Sequence, residues 1–161
     1  MSPGPASYLM LLNTSFLDYI QSGEVFSEAP RVAVYDVGGN LVTSDSRSQI
    51  QATLVGVSSD VYLSPVEALS VRLVNGLATF GELSINKAGT FQAIEFELFS
   101  YSFFPHNYTT TNILLRTPLF TTYSGPPAEV SMAVRARRAW AGGQVPLTFT
   151  TLHFHEYYCS Q

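Results

Sequence analysis

The sequence predicts an all-β protein, a β-sandwich of about seven strands followed by the start of an incomplete second unit. Three observations predict it. Short β-branched and aromatic runs recur between clusters of Gly, Pro, Asn, Asp and Ser. Within those runs apolar and polar residues alternate with the period of two that a half-buried strand shows. No stretch carries apolar residues at i, i+3, i+4 and i+7 over three helical turns.

The first strand is expected over Ser7 to Leu12, and a second extended segment at Val25-Phe26 ends at Pro30. Arg31 to Tyr35 comes next, with Val32 and Val34 on one face and Arg31, Ala33 and Tyr35 on the other. Asp36-Val37-Gly38-Gly39-Asn40 reads as a tight turn, because Gly and Asn tolerate positive φ and Asp bonds the backbone ahead of it. Leu41 to Thr43 leaves it as extended chain, and Ser44 to Ser48 is polar loop. Gln49 to Val57 is a strand that turns Ile50, Ala52 and Leu54 to one side. Ser58 to Pro65 is a loop anchored by Leu63, and Ala68 to Val74 a strand with Leu69, Val71 and Leu73 on one face.

Asn75-Gly76 is the strongest hairpin signal in the chain, since both residues accept the positive φ of a type I′ turn. Leu77 to Ile85 is therefore expected to return along Ala68 to Val74. Ala78 and Phe80 point inward, Gly81 provides a bulge, and Leu83 and Ile85 then take the inward positions. Asn86 to Gly89 turns the chain into a long strand, Thr90 to Phe99. Here Phe91 and Ala93 share one parity and Ile94, Phe96 and Leu98 the other, so alternation alone leaves the inward set open. Ser100 to Thr111 is expected to be an aromatic-rich loop, and Asn112 to Thr122 the closing strand.

Composition narrows the function classes. The chain has 161 residues, 46% of them hydrophobic and 12% charged. That is about half the usual charged fraction of roughly 25%, which argues for a packed core and against disorder. Net charge is −4, and the eight basic residues include a single lysine, Lys87. Nucleic-acid binding is not expected, for want of a broad basic surface to neutralise phosphates. No apolar run of about 18 residues exists to span a bilayer. No Gly-x-Ser-x-Gly, phosphate loop or His-paired nucleophile is present, so no catalytic activity and no cofactor are expected. Met1 to Pro5 carries no Lys or Arg and the apolar run Tyr8 to Leu12 is short, so no export signal is read. The expectation is a cytoplasmic chain or a piece of a longer exported one. The single cysteine, Cys159, cannot form an internal disulfide and says nothing of compartment.

The two ends of the chain echo each other. Gly4-Pro5-Ala6-Ser7-Tyr8-Leu9, then Ser22-Gly23-Glu24-Val25, stands about one domain length before Gly125-Pro126-Pro127-Ala128-Glu129-Val130, then Gly142-Gly143-Gln144-Val145. Recurrence at one domain length is the mark of an array. The expected organisation is a sandwich over 1–123, the first strand of a truncated second repeat over 124–147, and an unrelated, disordered tail over 148–161.

Within the first unit stand Val32-Ala33-Val34-Tyr35-Asp36, Gly39-Asn40, Leu73-Val74-Asn75-Gly76-Leu77-Ala78-Thr79-Phe80 and Lys87-Ala88-Gly89-Thr90. Over residues 4–122 this resembles the tandem immunoglobulin-like domains of large cell-surface proteins, of the bacterial Ig-like and invasin type. It is also similar in plan to filamin repeats. The resemblance implies a non-catalytic spacer and adhesion module outside the cell, whose partners are neighbouring Ig-like repeats and a protein or glycan ligand. Its filamin side implies an alternative, a cytosolic scaffold that binds peptides by adding a strand to a sheet edge.

Several residues are candidates for function. Asn13-Thr14-Ser15 and Asn107-Tyr108-Thr109 are glycosylation sequons, meaningful in an exported chain. Phe99, Tyr101, Phe103, Phe104 and Tyr108 form a candidate contact surface, because exposed aromatics mark interaction sites. The plainer reading is a loop folded back over the end of the sandwich. Asp36, Asp45 and Asp60 are loop acids without a dense Ca²⁺-type run, and turn formation accounts for them. His153, His155, Glu156 and Cys159 have metal-ligand chemistry but stand in the tail, where chance placement is the simpler account, and no metal is expected. Arg135, Arg137 and Arg138 form a basic cluster near Trp140, read as the solvated face of the orphan strand.

Overall fold

A computed structural model describes residues 2–126. The chain divides into a unit ending at Ser124 and a second one from Gly125 to Gln161. The expected second repeat beyond residue 126, the tail, the arginine cluster and the His/Cys group all lie outside the described residues.

The described unit is an all-β sandwich. Its eleven strands are β1 (Tyr8–Leu11), β2 (Ile20–Gln21), β3 (Arg31–Tyr35), β4 (Gln49–Val55), β5 (Leu63–Ser64), β6 (Ser70–Arg72), β7 (Leu77–Thr79), β8 (Ser84–Ile85), β9 (Gly89–Ser102), β10 (Asn107–Arg116) and β11 (Phe120–Tyr123). About seven were expected; the Leu77 to Ile85 and Asn112 to Thr122 runs break, β2 and β5 form in segments not read as strands, and Val25-Phe26 makes only an isolated bridge, Val25 to Ser84. One sheet has the order β1-β3-β7. The other has the order β2-β11-β9-β4-β6, with β10 also paired to β9. A short ribbon joins β5 to β8.

The core lies between the sheets, where alternation puts it. Leu9, Val32, Val34 and Ala78 face inward from the small sheet, and Ile50, Ala52, Ile94, Phe96 and Leu98 from the large one. Phe16, Leu73, Phe80, Leu83 and Ile85 fill the space between and are fully buried. The rings of Phe80 and Phe96 meet in a tilted pair with centroids 5.1 Å apart.

The Asn75-Gly76 turn forms as expected, with φ of 52° and 79°. Val74 and Leu77 exchange both backbone hydrogen bonds across it, at 2.9 and 3.1 Å. Its arms then part. β6 pairs with β4 in the large sheet, whereas β7 pairs with β3 in the small one. The turn is thus a corner between the two layers, not the tip of a hairpin. Gly76 is required twice: its φ is positive, and a Cβ there would stand 2.6 Å from the Val42 carbonyl oxygen.

Other expectations are corrected by local backbone. Leu41 to Thr43 makes an isolated bridge, Leu41 to Tyr35, instead of a strand. Ala33 is buried although it lies on the outer parity of β3. The Leu77 to Ile85 run breaks into β7 and β8, and the left-handed residue is Glu82 (φ 60°), not Gly81. In β9 the parity question is settled by Phe91, which has φ 56° and is 74% exposed. That kink turns Phe91 out and leaves Ile94, Phe96 and Leu98 inside. Opposite it, a Cβ at Gly56 (φ 80°) would lie 2.9 Å from the Phe91 carbonyl oxygen.

β9 holds the large sheet together. One edge pairs with β4 from Ala93 to Phe99, and the other is shared in turn by β11 and β10. The closing run Asn112 to Thr122 is therefore two strands, separated at Thr117-Pro118-Leu119. Thr117 makes the join: its amide donates to Ile94 O (2.9 Å) and its hydroxyl accepts from the Ile94 amide (3.0 Å), both buried. Thr122 hydroxyl similarly donates to the buried Gln92 amide oxygen at 2.5 Å.

Candidate functional site

Ser100 to Thr111 is not a loop. β9 continues through Ser102 and β10 begins at Asn107, so the segment is a hairpin closed by Phe103, Phe104, Pro105 and His106. The sequence is rich in turn formers and aromatics at this point, and the regular pairing of Tyr101 with Tyr108 and Ser100 with Thr109 leaves no local composition signal. Ser102 hydroxyl donates to Phe104 O at 2.7 Å and His106 takes φ 64°, which together close the turn.

The hairpin gathers most of the candidate aromatics. Tyr101 is the hub: its ring stands edge-on to Phe103 at 5.7 Å and to Tyr108 at 5.3 Å between centroids. Its hydroxyl bonds His106 Nδ1 at 3.1 Å. Phe104 lies apart from this group, against His106 at 5.5 Å. Phe103 is 52% and Phe104 86% exposed. Phe99 lies two residues before Tyr101 on the same face of β9 and is half-buried.

The Ser44 to Ser48 loop packs against this hairpin and is held from several sides. The Asp45 carboxylate accepts from the Arg47 amide (3.0 Å) and the Ser48 amide (2.9 Å). Gly76 amide donates to Asp45 O at 3.0 Å, and Asn75 amide to Ser46 Oγ at 3.1 Å. Tyr101 amide donates to the buried Ser48 Oγ (3.3 Å), and Tyr108 hydroxyl to Arg47 O (3.2 Å). A loop so pinned presents Arg47 in a fixed place, with its guanidinium carbon 4.3 Å from the Phe103 ring centroid.

Sheet register brings further residues to the same place. Arg72 of β6 pairs with Gln49 of β4, Gln49 with Phe99 of β9, and Phe99 with Thr110 of β10. Residues paired across strands share a face, and because neighbouring Ile50 faces the core, this row faces outward. A cleft of about 310 Å³ is lined by Ser46, Arg47, Arg72, Tyr101 and Tyr108. A larger one of about 790 Å³ shares Ser46, Arg47 and Tyr101 and extends between the layers towards Gly4, Val42 and Ile113. Among the described residues neither Arg47 nor Arg72 is in an ion pair; the pairs present are Lys87–Asp60 and Arg116–Glu95, both at 2.6 Å. Sequence reading missed both arginines, because 25 residues separate them and only the β4–β6 register joins them.

The remaining candidates sit elsewhere. Asn107 is exposed at the start of β10. Asn13 is structural in this fold: its Nδ2 donates to Ala29 O (2.9 Å) and its Oδ1 accepts from the Arg31 amide (2.8 Å). A glycan on Nδ2 would compete with that clamp. Asp36 is buried and accepts from the amides of Asn40 (2.8 Å), Gly4 (2.8 Å) and Gly38 (2.9 Å), and from the Asn40 side chain. These donors, the Asn40 amide foremost, hold its carboxyl down at about 2. Asp60 is likewise held at about 2, by Lys87 Nζ first and the Ser58 hydroxyl next. Asp36, Asp45 and Asp60 thus each serve a local turn or loop, and among the described residues no three of His, Cys, Asp and Glu converge in a metal-binding group. No described helix is long and apolar enough to cross a membrane. No family model matches the chain, and no curated protein matches it.

Proposed function

We propose that residues 1–123 form a non-catalytic, immunoglobulin-like module of a larger cell-surface or extracellular protein, serving as spacer and as adhesion or protein-interaction domain. Its partners are neighbouring modules of the same protein and a protein or glycan ligand. The observation that carries this reading is the β9–β10 hairpin. It sets exposed Phe103 and Phe104 at the tip of two strands anchored in the large sheet. Large exposed aromatics on a rigid support, outside the hydrophobic core, fit recognition. The exposed sequon at Asn107 adjoins the same hairpin and fits an exported chain. Fold alone does not decide function, so the test is location. Surface biotinylation of intact source cells should label the native product. A product labelled only after permeabilisation would overturn the extracellular reading.

One observation favours a second reading. β1 is a border strand of the small sheet, with β3 on one side and no ladder partner on the other among the described residues. Its outer-face residues Tyr8 and Met10 are exposed. A cytosolic, filamin-like scaffold would add a peptide strand there. Replacing the exposed Met10 side chain by a charged one, Met10→Lys, would weaken peptide capture under that reading and leave a surface ligand's binding intact under the first.

A further inference from the structure

We infer that the outer face of the large sheet, where the β9–β10 hairpin meets the Ser44 to Ser48 loop, is a binding site for an anionic saccharide. The inference deepens the ligand side of the extracellular reading and rests on it. Two guanidinium groups, Arg47 and Arg72, line one cleft, and among the described residues no carboxylate pairs with either. An anion in this cleft would meet both arginines, and a guanidinium group matches the paired oxygens of a carboxylate or sulfate. The lining of this cleft holds two cationic and no acidic side chains, whereas the chain as a whole carries net charge −4.

The rest of the cleft suits a sugar ring. Tyr101 and Tyr108 line it edge-on to one another, and Phe103, under Arg47 in the adjoining larger cleft, offers half of its surface to solvent. An aromatic face takes the apolar C–H face of a pyranose, while hydroxyl and amide groups take its polar rim. Ser46 lines the cleft, and Gln49 and Thr110 lie in the outward row between and beyond Arg72 and Phe99. At about 310 Å³ the cleft is at the low end of small-ligand sites, roughly 300–1,000 Å³, which fits one or two sugar residues. The loop that carries Arg47 is braced by the Asp45, Ser46 and Ser48 hydrogen bonds, so little ordering is left for binding to impose.

The test titrates the full 161-residue chain with lactose, 3′-sialyllactose and 3′-sulfolactose by calorimetry. The two charged sugars distinguish a carboxylate source from a sulfate source. At least one should bind about tenfold or more tighter than lactose, and binding should weaken as NaCl rises from about 50 to about 500 mM. Arg47→Ala and Arg72→Gln should each weaken binding about tenfold at an unchanged thermal midpoint, and Arg116→Gln, paired with Glu95 away from the cleft, should not. Absence of binding, equal binding of lactose, insensitivity to the Arg47 and Arg72 changes, or tighter binding of a tyrosine-sulfated peptide would each overturn the proposal. A surface protein that ignores these sugars sinks this inference alone; a cytosolic protein that binds them sinks the extracellular reading alone.

Discussion

Phe80→Ala removes the ring at the centre of the sandwich. Phe80 is fully buried just beyond β7, with its amide bonded to Pro30 O at 2.9 Å, and its ring meets Phe96 of β9 at 5.1 Å. It therefore links the small sheet's end to the strand that organises the large sheet. A buried Phe removes about 150 Å² or more from water, and Ala retains only a small part of that. At about 25 cal/mol per Å² the transfer loss alone is about 3 kcal/mol. The lost aromatic pair adds about 0.5–1.5 kcal/mol. Phe96, the ring that meets Phe80, is fully buried in the long strand β9 and has little room to collapse into the gap. The expected cost is about 3–5 kcal/mol, the range of large-to-small changes at buried aromatics. For a domain with total stability of about 5–15 kcal/mol, that is a large share. Urea unfolding monitored by fluorescence should show a lower midpoint at unchanged slope. A cost under about 1 kcal/mol would mean that Phe80 is not between the layers and that the sheet assignment of β7 is wrong.

Four further outcomes rest on particular contacts. Thr117→Val keeps the shape but removes the acceptor of the buried Ile94 amide, and should cost about 1–3 kcal/mol by thermal unfolding, with Thr117→Ser much milder. Gly76→Ala combines a positive φ with a Cβ 2.6 Å from Val42 O, and should cost about 2 kcal/mol or more. The Asp36 carboxyl, ordinarily near 3.8, lies at about 2 in the folded protein. Its stabilising effect is thus complete above the unfolded value and is lost as pH falls from about 4 towards 2. Asp36→Asn should lower the thermal midpoint at about pH 5 and flatten the acid-side loss, which a pH series of melting curves reads directly. Asn13→Gln should lower the melting temperature even in unglycosylated protein, because it breaks the Ala29 and Arg31 clamp; no change would show that clamp to be idle.

The features legible in the sequence are those that local chemistry dictates. Ile50, Ala52 and Leu54 announce the inner face of β4 because a strand sorts side chains by parity. Asp36 and Asn75-Gly76 announce their turns because few residues make the required hydrogen bonds or positive φ. The path of the chain beyond a turn is not local. Ala68 to Val74 and Leu77 to Thr79 alternate equally well, and nothing within either says that one joins β4 and the other β3. Phe91 breaks its strand's parity through a left-handed backbone that its residue type does not advertise. The candidate site divides the same way. Tyr101, Phe103 and Tyr108 stand out by composition, whereas Arg47 and Arg72 join them only through sheet register and the folded position of a loop.

The most direct test of an extracellular module is glycopeptide mapping at Asn107 on the native product from its source cells, with intact mass before and after glycosidase. Such a module predicts an occupied Asn107 and a mass that falls on treatment, from a product larger than this chain. An unmodified Asn107 in a product of 161 residues held inside the cell would contradict it.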